Sequence, residues 1–340
     1  MTSEADRPIR WGVVATGKIA HAVTGDLRLL ENCELAAVSS RSLDRAQDFA
    51  REFGFARAYD SVEALVADPG VDVVYVATPH AQHPTVVRLA LDAGKAVLCE
   101  KAFTTSLADT EELVAYARKR GVFCMEAMWT RFAPLIVKAR ELVASGAIGD
   151  VRAISAELGF VGPDDPSDRL WDPALGGGAL LDVGIYPVAF AQMLLGAPAT
   201  VTTVGTLTDQ GVDAEAGLLL GWADGARAHL EATLRSPSAG GATIVGTRGR
   251  IEIPPRFHHP ERLVHVSAPE RGVEEATVHE HPSEGRGYVP MLRAVAKAVR
   301  EGRTECPEMP LSDTVEVMRI LQEALDALAV TYPEPAPVPR

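Results

Sequence analysis

Over its first 130 residues the chain alternates short valine-rich apolar runs with longer segments of helical spacing, which confines it to a parallel sheet covered by helices on both faces. The runs Ile9–Ala15, Glu34–Ser39, Val71–Ala77, Ala96–Glu100 and Val122–Glu126 read as strands. Between them Ile19–Glu31, Leu43–Phe53, Ser61–Ala67, Pro84–Asp92 and Ser106–Arg120 read as helices. Gly54 and Gly121 follow two of these, where glycine can take the left-handed cap. Past Trp129 the texture changes. A helix at Ala133–Ser145 precedes strand patterns at Val151–Leu158, Thr200–Leu207, Gly217–Leu220, Ala226–Leu234, Thr243–Ile253 and Leu263–Ser267. The turn signals Asp224-Gly225 and Arg248-Gly249 among them indicate an antiparallel or mixed sheet. Helices at Met291–Glu301 and Leu311–Leu328 follow, and the proline-rich PEPAPVPR reads as a frayed tail.

Composition narrows the partners. With 340 residues and 47% apolar content, the chain is neither a disordered tail nor a disulfide miniprotein, and its length suggests two domains. Basic residues number 33 against 46 acidic, a net charge of −13, so a nucleic-acid surface is not expected. Cys33, Cys99, Cys124 and Cys306 are widely spaced, which fits reduced thiols in a cytoplasmic protein. The start MTSEADRPIRW has no apolar signal core, so no export is implied. No charge falls between Asp182 and Asp209, but Pro187, Gly196 and Pro198 interrupt that stretch and threonines then alternate. It reads as a short buried helix followed by a strand, not as a membrane span.

Two strand ends carry nucleotide chemistry. Ala15-Thr16-Gly17-Lys18-Ile19-Ala20 has the spacing of a G-x-G-x-x-G loop, with alanine in the first and third glycine places. Gly17 would let the backbone approach a pyrophosphate at the start of a helix, whereas a positive φ at Ala15 would be strained. Taken alone, the loop also fits an ordinary strand-to-helix turn. At the end of the second strand an acidic residue would suit NAD, but Ser40 and Arg41 stand there, with Arg45 a turn later. These donors suit a 2′-phosphate, so NADP is preferred and NAD possible. Glu100 and Lys101 close the fifth strand at the edge where open α/β sheets bind ligands; in isolation the dipeptide reads first as a surface ion pair.

The opening loop, Val76-Ala77-Thr78-Pro79-His80 with His83, the run Ala93 to Lys101, and Gly176 to Pro187 together resemble the glucose-fructose oxidoreductase, inositol dehydrogenase and MocA family. Met125-Glu126-Ala127-Met128-Trp129-Thr130-Arg131-Phe132 and the Asp182/Tyr186 segment are similar to its branch of dimeric dihydrodiol dehydrogenases and NADP-dependent D-xylose dehydrogenases. The resemblance implies an α/β fold: an N-terminal Rossmann dinucleotide-binding domain over 1–128, then a substrate-binding and oligomerisation α/β domain over 129–340 with a large open, mostly antiparallel sheet. It implies a homodimer or homotetramer through that sheet. The terminal helices could pack back on the first domain.

The resemblance also implies roles. Cofactor contacts fall on Thr16, Gly17, Lys18, Ile19, Ser40, Arg41, Arg45, Thr78, Pro79, His80, His83, Glu100 and Lys101. The family's Glu-Lys-Pro lysine falls on Lys101; Ala102 replaces the proline, so a cis bond is not expected, since it costs about 2.5–4 kcal/mol without proline. Asp182 and Tyr186, four residues apart, would share one helical face. In the implied mechanism Tyr186 takes the proton of a carbinol or anomeric hydroxyl, Lys101 holds that oxygen, and Asp182 orients the sugar or diol. Alone, the pair reads first as a core tyrosine with a satisfied hydroxyl; Lys101 and the glycine loop turn the reading toward function. Trp129, Arg131, Phe160 and Tyr288, with Trp171, are candidate pocket residues. His258, His259, His279 and His281 lack a carboxylate or cysteine at ligand spacing and read as surface histidines, so no metal is expected. The expected activity is an NAD(P)-dependent dehydrogenase of CH–OH groups. The rival is a nucleotide or sugar sensor of the same fold, against which the retained Lys101, Asp182 and Tyr186 argue.

Overall fold

The structure, a computed structural model, describes residues 7–270 and 272–333; the expected frayed tail from Glu334 on lies outside them. It divides into two compact units, one from the described parts of Met1–Trp129 with Glu284–Val315, the other from Thr130–Ser283 with Glu316–Pro333.

In the first unit β1 (Ile9–Val14), β2 (Cys33–Ser39), β3 (Arg57–Tyr59), β4 (Val73–Val76), β5 (Ala96–Cys99) and β6 (Cys124–Glu126) form one sheet. Its order is β3-β2-β1-β4-β5-β6 with every pair parallel. The connecting helices are α1 (Lys18–Leu27), α2 (Leu43–Phe53), α3 (Val62–Ala67), α4 (His83–Asp92) and α5 (Leu107–Arg120). All four residues of β4 and of β5 are buried, as a strand covered on both faces must be. Gly54 and Gly121 end α2 and α5 at φ of 87° and 65°, the expected left-handed caps.

In the second unit α6 (Pro134–Ala144) leads into β7 (Val151–Gly159). A π-helical turn, Leu180–Gly184, runs directly into α7 (Ile185–Leu195). Then come β8 (Thr200–Leu207), β9 (Asp213–Gly221), β10 (Arg227–Thr233), β11 (Ala242–Gly246), β12 (Gly249–Ile253), β13 (Arg262–Glu270) and β14 (Val273–Glu280). They make an eight-stranded sheet ordered β14-β13-β12-β11-β7-β10-β9-β8. Only β7 and β10 pair parallel, so the sheet is mixed and mostly antiparallel. Alternate residues of β10 are buried, so one face lies on the core and the other is open.

Among the described residues a single helical stretch, Pro173–Leu195, is long and apolar enough to cross a membrane, and 83% of its most apolar window is buried inside the protein. The charge-free segment is therefore a core helix followed by β8, as its prolines and threonines indicate.

Three readings need correction. The expected strand Thr243–Ile253 is the hairpin β11–β12, which turns at Thr247 and Arg248 beside the turn signal Arg248-Gly249. β14 escapes the apolar pattern because it is a charged edge strand whose residues are almost all exposed. β3, of three residues, is too short to show alternation.

Two helices end the described chain, α8 (Val289–Arg300) and α9 (Leu311–Ala327). Asp26 on α1, 2% exposed, accepts from the N–H groups of Arg286 and Tyr288 at 2.9 Å each. The carboxylate meets the positive end of α8 and ties Glu284–Val315 to the parallel sheet's helices.

Candidate active site

The first unit's site begins where β1 stops. Ala15 takes a φ of 84°, and its N–H donates to the Ser39 carbonyl at 2.9 Å. The left-handed conformation that the first glycine place requires is thus adopted by an alanine, at about 1–2 kcal/mol. Gly17 is the N-cap of α1, with no side-chain cap on the helix, and a Cβ added there would meet nothing within 4 Å. Thr16, Lys18 and Ile19 flank it, while Ala20 is wholly buried, which allows the close helix packing of the third place.

Two hydroxyls add to this edge: Thr78 Oγ1 just past β4 and Ser39 Oγ at the end of β2 are buried without hydrogen-bond partners. Orphaned donors beside an uncapped helix start fit a dinucleotide, whose phosphates and ribose would complete them. Ser42 caps α2 by accepting from the Arg45 N–H at 3.4 Å. Ser40 precedes the exposed Arg41, and among the described residues no carboxylate pairs with Arg41 or Arg45. Their guanidiniums suit a further phosphate.

The ends of β4 and β5 are tied together. His80, 6% exposed, contacts the Lys101 carbonyl through Nε2 at 3.1 Å. His83, wholly buried, contacts the Ala102 carbonyl through Nδ1 at 2.9 Å and the Thr78 carbonyl through Nε2 at 2.8 Å. Burial pushes its imidazole pKa down, against the pull of those carbonyls. His83 therefore holds the Thr78-Pro79 turn against the Lys101 strand end and does not reach a cofactor, a correction whose cause is that both ring nitrogens are already engaged. The Lys101–Ala102 peptide is cis although Ala102 replaces proline; its carbonyl and the next are the acceptors for the two histidines. Glu100 turns inward as well: 6% exposed, it accepts from the Tyr75 hydroxyl at 2.6 Å. Burial, reinforced by that carboxylate, pushes the Tyr75 pKa far up. Lys101 is half-buried. Trp129 and Tyr288 form an aromatic pair with ring centroids 4.5 Å apart.

In the second unit Asp182 sits on the π-helical turn and Tyr186 on the first turn of α7. Pro187 has no N–H to give the Val183 carbonyl, and the helix is widened there, so the simple i, i+4 spacing does not apply to the pair. Arg169, a residue the sequence did not flag, donates through both Nη atoms to Asp182 Oδ1 at 3.1 Å each. Tyr186, 8% exposed, lies with its ring 5.3 Å from that of His258. His258 and His259 are half-buried, which corrects their reading as surface residues; the polar PPRFHHP segment gave no sign of this. Arg131, 3% exposed, donates to Gln192 on α7, so it braces the helix that carries Tyr186. Phe160 is 41% exposed, whereas Trp171 is buried and donates its indole N–H to the Pro163 carbonyl at 2.8 Å. Among the described residues no group of three or more His, Cys, Asp or Glu is placed to hold a metal.

Known proteins share this architecture. The sequence profile of the GFO/IDH/MocA oxidoreductases with an NAD-binding Rossmann fold matches residues 9–128, and that of the GFO/IDH/MocA C-terminal domain matches residues 136–252. The trans-1,2-dihydrobenzene-1,2-diol dehydrogenase of Mus musculus is 38% identical over 332 residues, covering 96% of this chain and 98% of its own. Among solved structures, a 3-ketoreductase from Actinomadura kijaniata in complex with NADP and TDP-benzene has a TM-score of 0.82 at 28% identity, covering 94% of this chain and 98% of that one. An aldose-aldose oxidoreductase from Caulobacter crescentus complexed with glycerol has a TM-score of 0.84 at 26% identity, covering 95% and 98%.

Proposed function

The chain belongs to the GFO/IDH/MocA oxidoreductase family, and on that premise we propose that it oxidises a carbinol of a vicinal diol or sugar with NADP, NAD being an alternative. What carries the reading is the carboxyl edge of the first sheet, where the uncapped Gly17 helix start and the orphaned Thr78 hydroxyl fit a dinucleotide. When bound, the nicotinamide accepts the hydride from the carbinol carbon.

The protein's own groups handle the proton. Lys101 is assigned to hold the carbinol oxygen and the Tyr186 phenol to take the hydroxyl proton. Asp182, fixed by Arg169, accepts from the neighbouring hydroxyl and orients the diol. The paired rings of Trp129 and Tyr288 offer apolar surface to an arene or sugar ring. The test is reduced-nicotinamide absorbance on a panel of pentoses, hexoses, inositols and dihydrodiols with NADP or NAD. Turnover on a diol or sugar supports the dehydrogenase; NADP binding without any turnover supports the sensor.

Arg41 assigns the cofactor. Arg41→Ala is expected to weaken NADP by about 1.5–3 kcal/mol, the value of a hydrogen bond to a charged group, and to leave NAD nearly unchanged. Titrating both nucleotides by fluorescence checks this, and an equal loss for the two removes the 2′-phosphate assignment.

The open face of the second sheet supports a homo-oligomer. Val204 is 71% and Leu219 45% exposed there, lining a shallow concavity of about 1330 Å³. We expect sedimentation at the dimer mass or above, with Val204→Asp plus Leu219→Asp shifting it to monomer; a monomeric parent protein removes this reading. Three of four free thiols are buried, which supports a cytoplasmic residence.

A further inference from the structure

Asp213 opens β9 with none of its surface exposed, at the start of the helical segment that carries Asp182 and Tyr186. Its Oδ2 accepts from the Leu180 N–H at 2.6 Å, and the Ala179 N–H also favours its charged form. Its Oδ1 has no partner. Gly178, at a φ of 111°, lets the backbone pass so closely that a Cβ there would lie 2.3 Å from Oδ1 and 3.3 Å from the Tyr332 hydroxyl. That hydroxyl donates to the Gly177 carbonyl at 2.7 Å and fixes the same turn from the other side. The titratable group facing this place is Tyr332, whose hydroxyl is held at the same turn.

A buried carboxylate with no cation beside it and one oxygen unsatisfied is an expensive way to cap a helix. An asparagine would accept the same N–H. Burial raises the Asp213 pKa to about 6, against the backbone donors that lower it. The folded protein therefore favours the neutral acid, so Asp213 lowers stability progressively as pH rises from about 3.8 to about 6, and the full cost is present above that. A feature kept at that expense directly behind two functional side chains calls for a use.

We propose that Asp213 is a positioning residue: its carboxylate clamps the π-helical turn, holds Asp182 and Tyr186 in their working arrangement, and releases them when protonated. The negative charge also opposes the positive N-terminal end of the π-helical turn and α7, which the neutral acid does less well. The inference rests on the proposed roles of Asp182 and Tyr186.

The test compares the parent protein with Asp213→Asn. The expected result is a kcat lowered about tenfold or more at pH 8, an unchanged KM for NADP, and a Tm at pH 8 equal to or above the parent's. In the parent, log kcat plotted against pH should steepen below about pH 6, and the variant should lack that extra fall. A kcat and pH profile equal to the parent's overturn the inference, and so does a joint loss of kcat and Tm, which marks a structural cap only. If the variant does not fold, the parent decides: a fall in kcat between pH 7 and pH 5 at constant circular dichroism and NADP affinity supports the clamp, and its absence overturns it. A parent with no turnover on any diol or sugar overturns the proposed function and this inference together, whereas an active parent with an unaltered variant overturns this inference alone.

Discussion

Lys101→Met is expected to cut kcat by about 10²–10⁴-fold while NADP still binds. Methionine nearly matches the length of the lysine stem, so the half-buried side chain keeps its packing and loses only the ammonium. The backbone ties at this strand end are kept, because the carbonyls of Lys101 and Ala102 are contacted by His80 and His83. What disappears is the charge proposed to hold the carbinol oxygen. Single-turnover kinetics with NADP affinity measured in parallel separates the two effects. Retained turnover removes Lys101 from the mechanism; a loss of NADP binding equal to the loss of kcat makes it a cofactor anchor.

The second large effect concerns the proton. Tyr186→Phe deletes one hydroxyl and leaves the ring against His258, so the fold and Tm should be kept and kcat should fall by about 10²–10⁴-fold. If Tyr186→Phe keeps its rate, the base lies elsewhere. His258, with its ring centroid 5.3 Å away, is then the group to replace next.

How much of this was legible in the sequence follows from the physics of each part. The strands of the parallel sheet announce themselves because burial on both faces demands unbroken apolar runs, as in β4 and β5. Gly17 and Arg41 were singled out by residue type and spacing, and Lys101, Asp182 and Tyr186 by the family resemblance; their roles are the proposals tested above. The roles of Glu100 and His83 were not, since whether a polar side chain turns outward or ties two backbone segments together depends on contacts between strand ends. Arg169, Asp213 and His258 were hidden for a related reason. Asp213 and His258 lie far from the Asp182 and Tyr186 segment in sequence, and Arg169, 13 residues before Asp182, reaches it only because the intervening loop folds back. The π-helical turn has no signature beyond Pro187, which marks a lost hydrogen bond without saying how the helix adjusts.

The central claim, that this chain moves a hydride between a carbinol carbon and NADP, is tested most directly with a labelled substrate. A trans-dihydrodiol or aldose carrying deuterium at the reacting carbon is incubated with the protein and NADP, and the reduced nucleotide is examined by mass spectrometry and NMR. One deuterium at C4 of the nicotinamide for each molecule of product is the predicted result. Substrate and NADP recovered unchanged across the panel, or reduced nucleotide without the label, contradicts it.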